Sequence, residues 1–354
     1  MKHLIFILLI TPTLLFSQGW EKTYNVHFID AGYSLQQTTD GGYIIAGYAG
    51  GHQYLESQAV LLIKTDSDGD TLWTNTFGRG GGNSVQQCTD GGYIITGVVG
   101  VGLDFDVYLI KTDSNGDTLW TNTFGGVEHD WGNSVQQCTD GGYIIAGYTE
   151  SFGNGSLHVY LIKTDSNGDT LWTKTFGGGI GYSVQQCTNG GYIVSGYRNS
   201  EDDVYLIKTD SNGDTLWTKA LGGGRGYSVQ QCTDGGYIAT GEINDKVYLF
   251  RTDPDGDIIW TETYGFFTAV GYSVQQTADG GYIIAGSTNS DVYLIKTDEN
   301  GISTSITEVP NSNPSKKLIK VVDLSGKEIF KPKKNQAYIE IYDDGTAQKK
   351  IIIF

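Results

Sequence analysis

Residues 134–148 read SVQQCTDGGYIIAGY, and residues 159–176, after a variable polar stretch, read VYLIKTDSNGDTLWTKTF. β-Branched and aromatic residues dominate both runs, and no segment keeps a helical period long enough to compete. Two turns punctuate them. Asp140-Gly141-Gly142 and the run 165–169, Asp-Ser-Asn-Gly-Asp, supply the positive φ angles that tight hairpins and glycine bulges require. Four short antiparallel strands, a to d, are therefore predicted over 134–139, 143–148, 159–164 and 170–176.

The unit recurs along the chain. Gly-Gly-Tyr-Ile occurs six times, with its tyrosine at Tyr43, Tyr93, Tyr143, Tyr192, Tyr237 and Tyr282, at spacings of 50, 50, 49, 45 and 45 residues. Periods of that size belong to propeller blades rather than helical solenoids. The expected fold is all-β: a six-bladed β-propeller over residues 18–302. Strand d is led by Trp73, Trp120, Trp172, Trp217 and Trp260, but no tryptophan follows the sixth strand c. Trp20-Glu21-Lys22-Thr23-Tyr24 matches Trp172-Thr173-Lys174-Thr175-Phe176, so the N-terminal strand is expected to close the last blade beside residues 292–297.

Composition agrees with this repeat. Glycine contributes 51 of 354 residues and proline only 5, so the glycines are spent on repeated turns rather than on low-complexity sequence. The net charge of −17 is uneven. From Asn311 onward nine lysines face five acids, a net +4, which leaves −22 for the body once Lys2 is set aside. An acidic body repels phosphate backbones, so no nucleic-acid partner is expected, and cations or neutral ligands fit better. Lys2 and His3 precede the apolar run 4–16 and the small Ser17, the pattern of an export signal over residues 1–17 that is too short for a membrane span.

Cys88, Cys138, Cys187 and Cys232 occupy one repeat-equivalent position, where the first and sixth units carry Thr38 and Thr277. Equivalent points on neighbouring blades are too far apart for a disulfide, so buried free thiols are expected. Their spacing is that of the repeat itself, and His27, His52, His129 and His158 show no metal-ligand spacing, so no metal site is expected. Asp66, Asp68 and Asp70 resemble the start of a calcium loop, but the glycine and distant glutamate of that loop are out of place, and a hairpin turn accounts for them.

In an up-and-down blade, the a–b and c–d turns emerge on one face and the b–c and d–a loops on the other. The unchanging turns all fall on the first face, while sequence variety gathers on the second. The b–c loops there carry Tyr54 and Glu56, Asp104 and Phe105, Glu150 and Phe152, and Arg198 with Glu201 and Asp202. The d–a loops carry His27 and Asp30, Arg79, the cluster Glu128-His129-Asp130-Trp131, Arg225, and Phe266 with Phe267. Trp131 is the tryptophan outside the repeat frame. An aromatic ring beside carboxylates holds a sugar by stacking plus hydrogen bonds, and is equally a protein hot spot. The candidate ligand-binding set is Trp131, Asp130, His129, Glu128, Arg79, Arg198, Arg225 and Phe266, with no catalytic residue assigned.

Three resemblances follow from these motifs. The c–d unit, Val-Tyr-Leu-Ile-Lys-Thr-Asp-x-x-Gly-Asp-Thr-Leu-Trp, is similar to the repeat of quinoprotein-like, PQQ-type propellers and of secreted bacterial β-propeller repeat proteins. Quinoprotein enzymes of that type have eight blades and an adjacent cysteine pair, so with six units and no such pair no cofactor is expected here. The turn Asp-x-Asp-Gly-Asp-x-x-Trp looks like the Asp-box of sialidase-type propellers, which in that family is structural. Lastly, Asn313-Pro314-Ser315, the run 318–326 (LIKVVDLSG) and the run 338–354 (YIEIYDDGTAQKKIIIF) resemble the C-terminal sorting domain of the Bacteroidetes type IX secretion system. That likeness implies a small β-sandwich-like module over 316–354, joined by a linker over 303–315, read by the type IX machinery and bringing the chain to the cell surface or the medium.

The functional expectation is a non-catalytic, exported propeller that binds a glycan or protein partner through its variable face. Two alternatives stand beside it: a polysaccharide-acting, glycosidase-like enzyme with its site in the central pocket of that face, and a structural spacer with no ligand.

Overall fold

The structure, a computed structural model, describes residues 21–27, 29–50, 58–101, 104–198, 203–265, 268–289, 291–306, 318–323, 327, 329, 337–342 and 347–351. The export segment 1–17, Trp20, Phe266, Phe267 and the region 307–317 lie outside them. Among the described residues the chain is all-β, with 26 strands and no helix. It divides into two units, Met1–Thr307 and Glu308–Phe354.

The first unit is a series of six antiparallel groups, each of four strands hydrogen-bonded in sequence order. The first group is Ile29–Gln37, Tyr43–Gly50, Gln58–Thr65 and Thr71–Phe77. Its turns form as their residues require. Gly41, at φ +84°, donates its N–H to Thr38 O, and Thr38 donates to Gly42 O, closing the hairpin. At the c–d turn Asp66 Oδ1 accepts the N–H groups of Asp68 and Asp70. The strand Thr170–Gln186 runs without interruption from the third group into the fourth, so those two form one seven-stranded sheet.

Neighbouring groups are fastened the same way at every junction. Val60 and Leu62 of the first group share a core with Val85 of the second, and Val159 and Leu161 of the third with Val184 of the fourth. Burying each such side chain contributes about 1.5–3 kcal/mol. Side chains also bond to the next inner strand. Ser34 Oγ accepts from Val85 N–H and Gln36 Oε1 from Gln87 N–H, and Ser84 and Gln86 repeat both bonds to Val135 and Gln137. All six inner strands line one central cavity of about 290 Å³, at Leu35, Val85, Val135, Val184, Val229 and Val274.

The two ends of the series differ from the expectation. The outer edge of Asp291–Thr297 pairs with Ser303–Ile306, not with the N-terminal segment: Ile295 faces Ile306 and Lys296 faces Ser305. The reason is local. Asp298 Oδ1 accepts the N–H groups of Asn300 and Ile302, as in every c–d turn, so the chain reverses at once and reaches the edge before a distant strand can. The sheet thus extends past residue 302, into the stretch expected to be linker. Residues 21–27 form no strand, yet Lys22 Nζ reaches Asp70 Oδ1 at 2.5 Å and Tyr24 OH donates to Gly69 O at 2.8 Å. Lys174 and Lys219, on outer strands, make the same ion pair to Asp214 and Asp257 of the following turn. The end faces are open: Val292 is 71% exposed and Leu35 62%, where their counterparts Val107 and Val85 are 0% and 6%.

The second unit contains a three-stranded antiparallel sheet of Leu318–Asp323, Ala337–Tyr342 and Ala347–Ile351. Val322 and Tyr338 are buried in it.

Candidate functional site

The chemistry of the variable face concentrates where the second group meets the third. Thr118–Phe124 is followed by a loop, 125–129, and then by Asp130–Gln137. Asp130, read from sequence as a ligand carboxylate, is fully buried and organises this loop instead. Its Oδ2 accepts the Gly126 N–H at 2.9 Å and lies 2.6 Å from Ser151 Oγ, which in turn accepts the Glu128 N–H at 3.0 Å. The same device recurs where the loop has the same length. Val26 N–H donates to Asp30 Oδ2 at 2.7 Å, four residues before the aspartate in both cases. Where the connection is shorter, Gly80, Gly179 and Gly224 stand in the aspartate's place.

An aromatic shelf forms around Trp131, next to Asp130 in the same strand. Trp131 and Tyr148, directly opposite in the pairing of Asp130–Gln137 with Tyr143–Thr149, stack at 6.1 Å and 11°. Phe105 stacks on His129 at 5.3 Å and tilts against Trp131 at 6.2 Å. Glu128 is exposed at its edge.

A second carboxylate comes in from the third strand of the group. Val107 pairs with Phe124, which brings Asp106 opposite Gly125. A side-chain carbon at Gly125 would fall 1.8 Å from Asp106 Oδ1 and 2.7 Å from Asp130 Oδ2, so only glycine leaves room for both. These two oxygens are therefore within about 4.5 Å of each other, closer than the roughly 5–9.5 Å that separates the carboxyls of a glycosidase. Burial, then the charges of Asp104 and Asp130, push the Asp106 carboxyl above its ordinary range. Asp106 Oδ1, Asp130 Oδ1 and His129 Nδ1 are buried without a hydrogen-bond partner. Among the described residues no group of three or more His, Cys, Asp or Glu side chains is gathered for a metal.

The arginines form a separate cluster. Arg225 lies 5.1 Å over the Tyr197 ring and 3.7 Å from Glu242 Oε1, at a cavity of about 380 Å³ that Asn244 and Asp245 also line. Tyr227, whose hydroxyl is 3.3 Å from Glu242 Oε1, bonds the Arg225 guanidinium and holds its pKa above the ordinary value. Arg198 sits 5.9 Å over the Tyr205 ring. Arg79 is exposed, and Phe266 lies outside the described residues. Of the eight sequence candidates, then, residues 128–131 are brought together, and Arg198 and Arg225 gather around tyrosines of the fourth and fifth groups. Sequence reading missed Tyr148, Asp106 and Ser151. Tyr148 is hidden by a bulge between Gly132 and Ser134 that shifts the register by one. Counting straight back from the Asp-Gly-Gly turn pairs Trp131 with Thr149 and puts Tyr148 out of reach.

No family model matches the chain, and no curated protein matches it. Among solved structures it is similar to Sqt1 from Chaetomium thermophilum, at 12% identity and a TM-score of 0.48, over 92% of this chain and 97% of that one. That degree of likeness carries no argument beyond the strands already described.

Proposed function

We propose that this chain is an exported six-bladed β-propeller that holds a glycan or protein partner on its variable face without catalysis. The observation that carries the reading is the aromatic shelf of Trp131, Tyr148, Phe105 and His129, four half-buried rings in mutual contact near the exposed Glu128. Rings of this kind, with acceptors at their edge, fit the apolar face and hydroxyls of a sugar. A glycosidase fits less well, because Asp106 and Asp130 lie too close together and Asp130 is fully buried. The leader over 1–17 and the type IX-like segment over 316–354 support export to the cell surface or the medium, with the sorting machinery as a further partner.

Closure of the six groups into a ring is part of this reading. Tyr182 and Tyr227, then Tyr227 and Tyr272, meet as tilted ring pairs across successive junctions at 4.9 and 5.5 Å, and Tyr33 holds the next position. Val292 and Leu294 at one end present the surface that Val247 and Leu249 bury against Val274, and Leu35 at the other end stands in the place of Val274. In this proposed ring the two open end faces meet, with Ser303–Ile306 as the sixth outer strand and Lys22 and Tyr24 on the first c–d turn. Leu294→Asp tests the closure: it should destabilise the chain by several kcal/mol, as a buried charge does, and an effect no larger than that of a surface substitution would exclude the ring.

A glycan array tests the ligand. Wild-type protein should retain a defined set of glycans and Trp131→Ala should lose them at least tenfold. Retention unchanged in Trp131→Ala would remove the shelf as the site. An empty array together with a captured surface protein, released by the same substitution, would select the protein partner.

A further inference from the structure

We infer that Asp106 and Asp130 bind a hard divalent cation of the calcium type, which fastens the loop 125–129 to the strand Asp104–Thr112. Loop capping explains only part of what these aspartates do. Asp130 Oδ2 is occupied by Gly126 N–H and Ser151 Oγ, whereas Asp30 caps its own loop with both oxygens, Oδ2 accepting from Val26 N–H and both accepting from His27 N–H. Asp130 Oδ1 has no partner although the residue is fully buried, and Asp106 Oδ1, directed at Gly125, has none either.

Two carboxylates within about 4.5 Å of each other in a site shielded from water cannot both stay charged without compensation. The compensation comes either from a cation or from a proton shared by the pair. Oxygen atoms favour the cation: the Ser151 hydroxyl, hydrogen-bonded to the Glu128 carbonyl at 3.0 Å, stands beside Asp130 Oδ2, so hydroxyl and peptide oxygens lie next to the carboxylate. This is the donor set of calcium rather than of zinc. Gly125 contributes by lacking a Cβ, which would fill the space between the carboxylates. The inference does not depend on a glycan ligand, but it adds a consequence for one. His129 and Trp131 flank Asp130 in sequence, so the cation sets the height and tilt of the shelf.

The test is a calcium titration of the full chain, stripped with chelator and followed by calorimetry and thermal unfolding. Wild type should bind calcium at about 10⁻⁴–10⁻³ M or tighter, the range of extracellular modules, and melt several degrees higher with it. Asp106→Asn should weaken binding at least tenfold and abolish the thermal response, yet melt no lower than wild type in chelator, because the amide relieves the repulsion. Asp203→Asn, at the equivalent position of the fourth group beside a short connection, should leave the response intact. An undiminished response in Asp106→Asn would place the cation elsewhere, with the Asp66-Asp68-Asp70 turn first in line, and overturn the proposal. So would the absence of any calcium response combined with a melting point that rises on acidification in wild type but not in Asp106→Asn, which is the behaviour of a shared proton. Absence of glycan retention by the wild type, with calcium binding intact, would count against the shelf alone.

Discussion

Lys208 Nζ lies 3.4 Å from Asn189 Oδ1, whereas the equivalent lysines Lys64, Lys111, Lys163 and Lys296 meet an aspartate at 2.8–2.9 Å. Lys208 is buried like three of those four, so the fourth group keeps an ammonium out of water with an amide, the Thr209 carbonyl and the Cys187 sulfur to receive it and no carboxylate. Charge-assisted bonds are roughly twice as strong as neutral ones. Asn189→Asp should therefore raise stability at pH 7 by about 1 kcal/mol. Thermal melts check this, and the gain should shrink as pH falls below about 4 and vanish near pH 2, as the new carboxylate is protonated through its lowered folded pKa.

Gly168 and Gly190 share one backbone conformation, φ +84° and +86°, but not one environment. A Cβ on Gly190 meets nothing within 4 Å, while on Gly168 it falls 2.7 Å from the Trp120 ring and 2.5 Å from Asn122 Nδ2, groups of the preceding outer strand. Gly190→Ala should cost about 1–2 kcal/mol, the left-handed backbone penalty. Gly168→Ala should cost about 1–3 kcal/mol more, because the tryptophan must leave its seat. Chemical denaturation of both variants measures the difference directly, and equal losses would mean that Trp120 does not hold the third group to the second.

These contrasts mark how far the residues themselves could be read. The a–b and c–d turns were legible because Asp-Gly-Gly and Asn-Gly act within five residues, and Gly141 N–H bonds Cys138 O as such a turn requires. The sixth outer strand was not. Trp20 matches the missing tryptophan in sequence, but Ser303–Ile306 carries no aromatic signal and takes the edge through the turn that precedes it. At the candidate site, the Trp131 cluster stood out by composition, whereas its partner Tyr148 depends on a bulge and Asp106 on an interstrand contact. Neither leaves a local trace.

The four cysteines are free and buried. Burial, partly offset by nearby lysines, pushes the Cys88 and Cys138 thiols up to about 11, and Cys187 and Cys232 are raised for the same reason. Little thiolate exists at pH 8, and the sulfur is shielded as well. Native protein should react with an aromatic disulfide reagent far more slowly than a free thiol does, and all four sulfurs should react within minutes in denaturant. Rapid labelling of one native cysteine would reveal a locally open group.

Acid should dismantle the first unit through its a–b turns. The Thr38 hydroxyl and then Lys64 hold Asp40 at about 2, and Asp279 is lowered in the same way by Thr277 and Lys296. For Asp90 and Asp140 burial opposes the shift, but Lys111 and Lys163, with the N–H groups of Gly92 and Gly142, outweigh it. A carboxyl with a folded pKa below its unfolded value of about 3.9 contributes stability above that value and loses it as pH falls through the folded one. Five such turns, Asp234 with Arg251 included, should give an unfolding transition between about pH 4 and pH 2. Replacing Asp90 with asparagine should lower stability at pH 7 and flatten this acid transition, while the melting point near pH 2 stays within a degree or two of wild type. A variant that lost as much stability at pH 2 as at pH 7 would show that the turn is held by its backbone alone and that the lysine bridge contributes nothing to it.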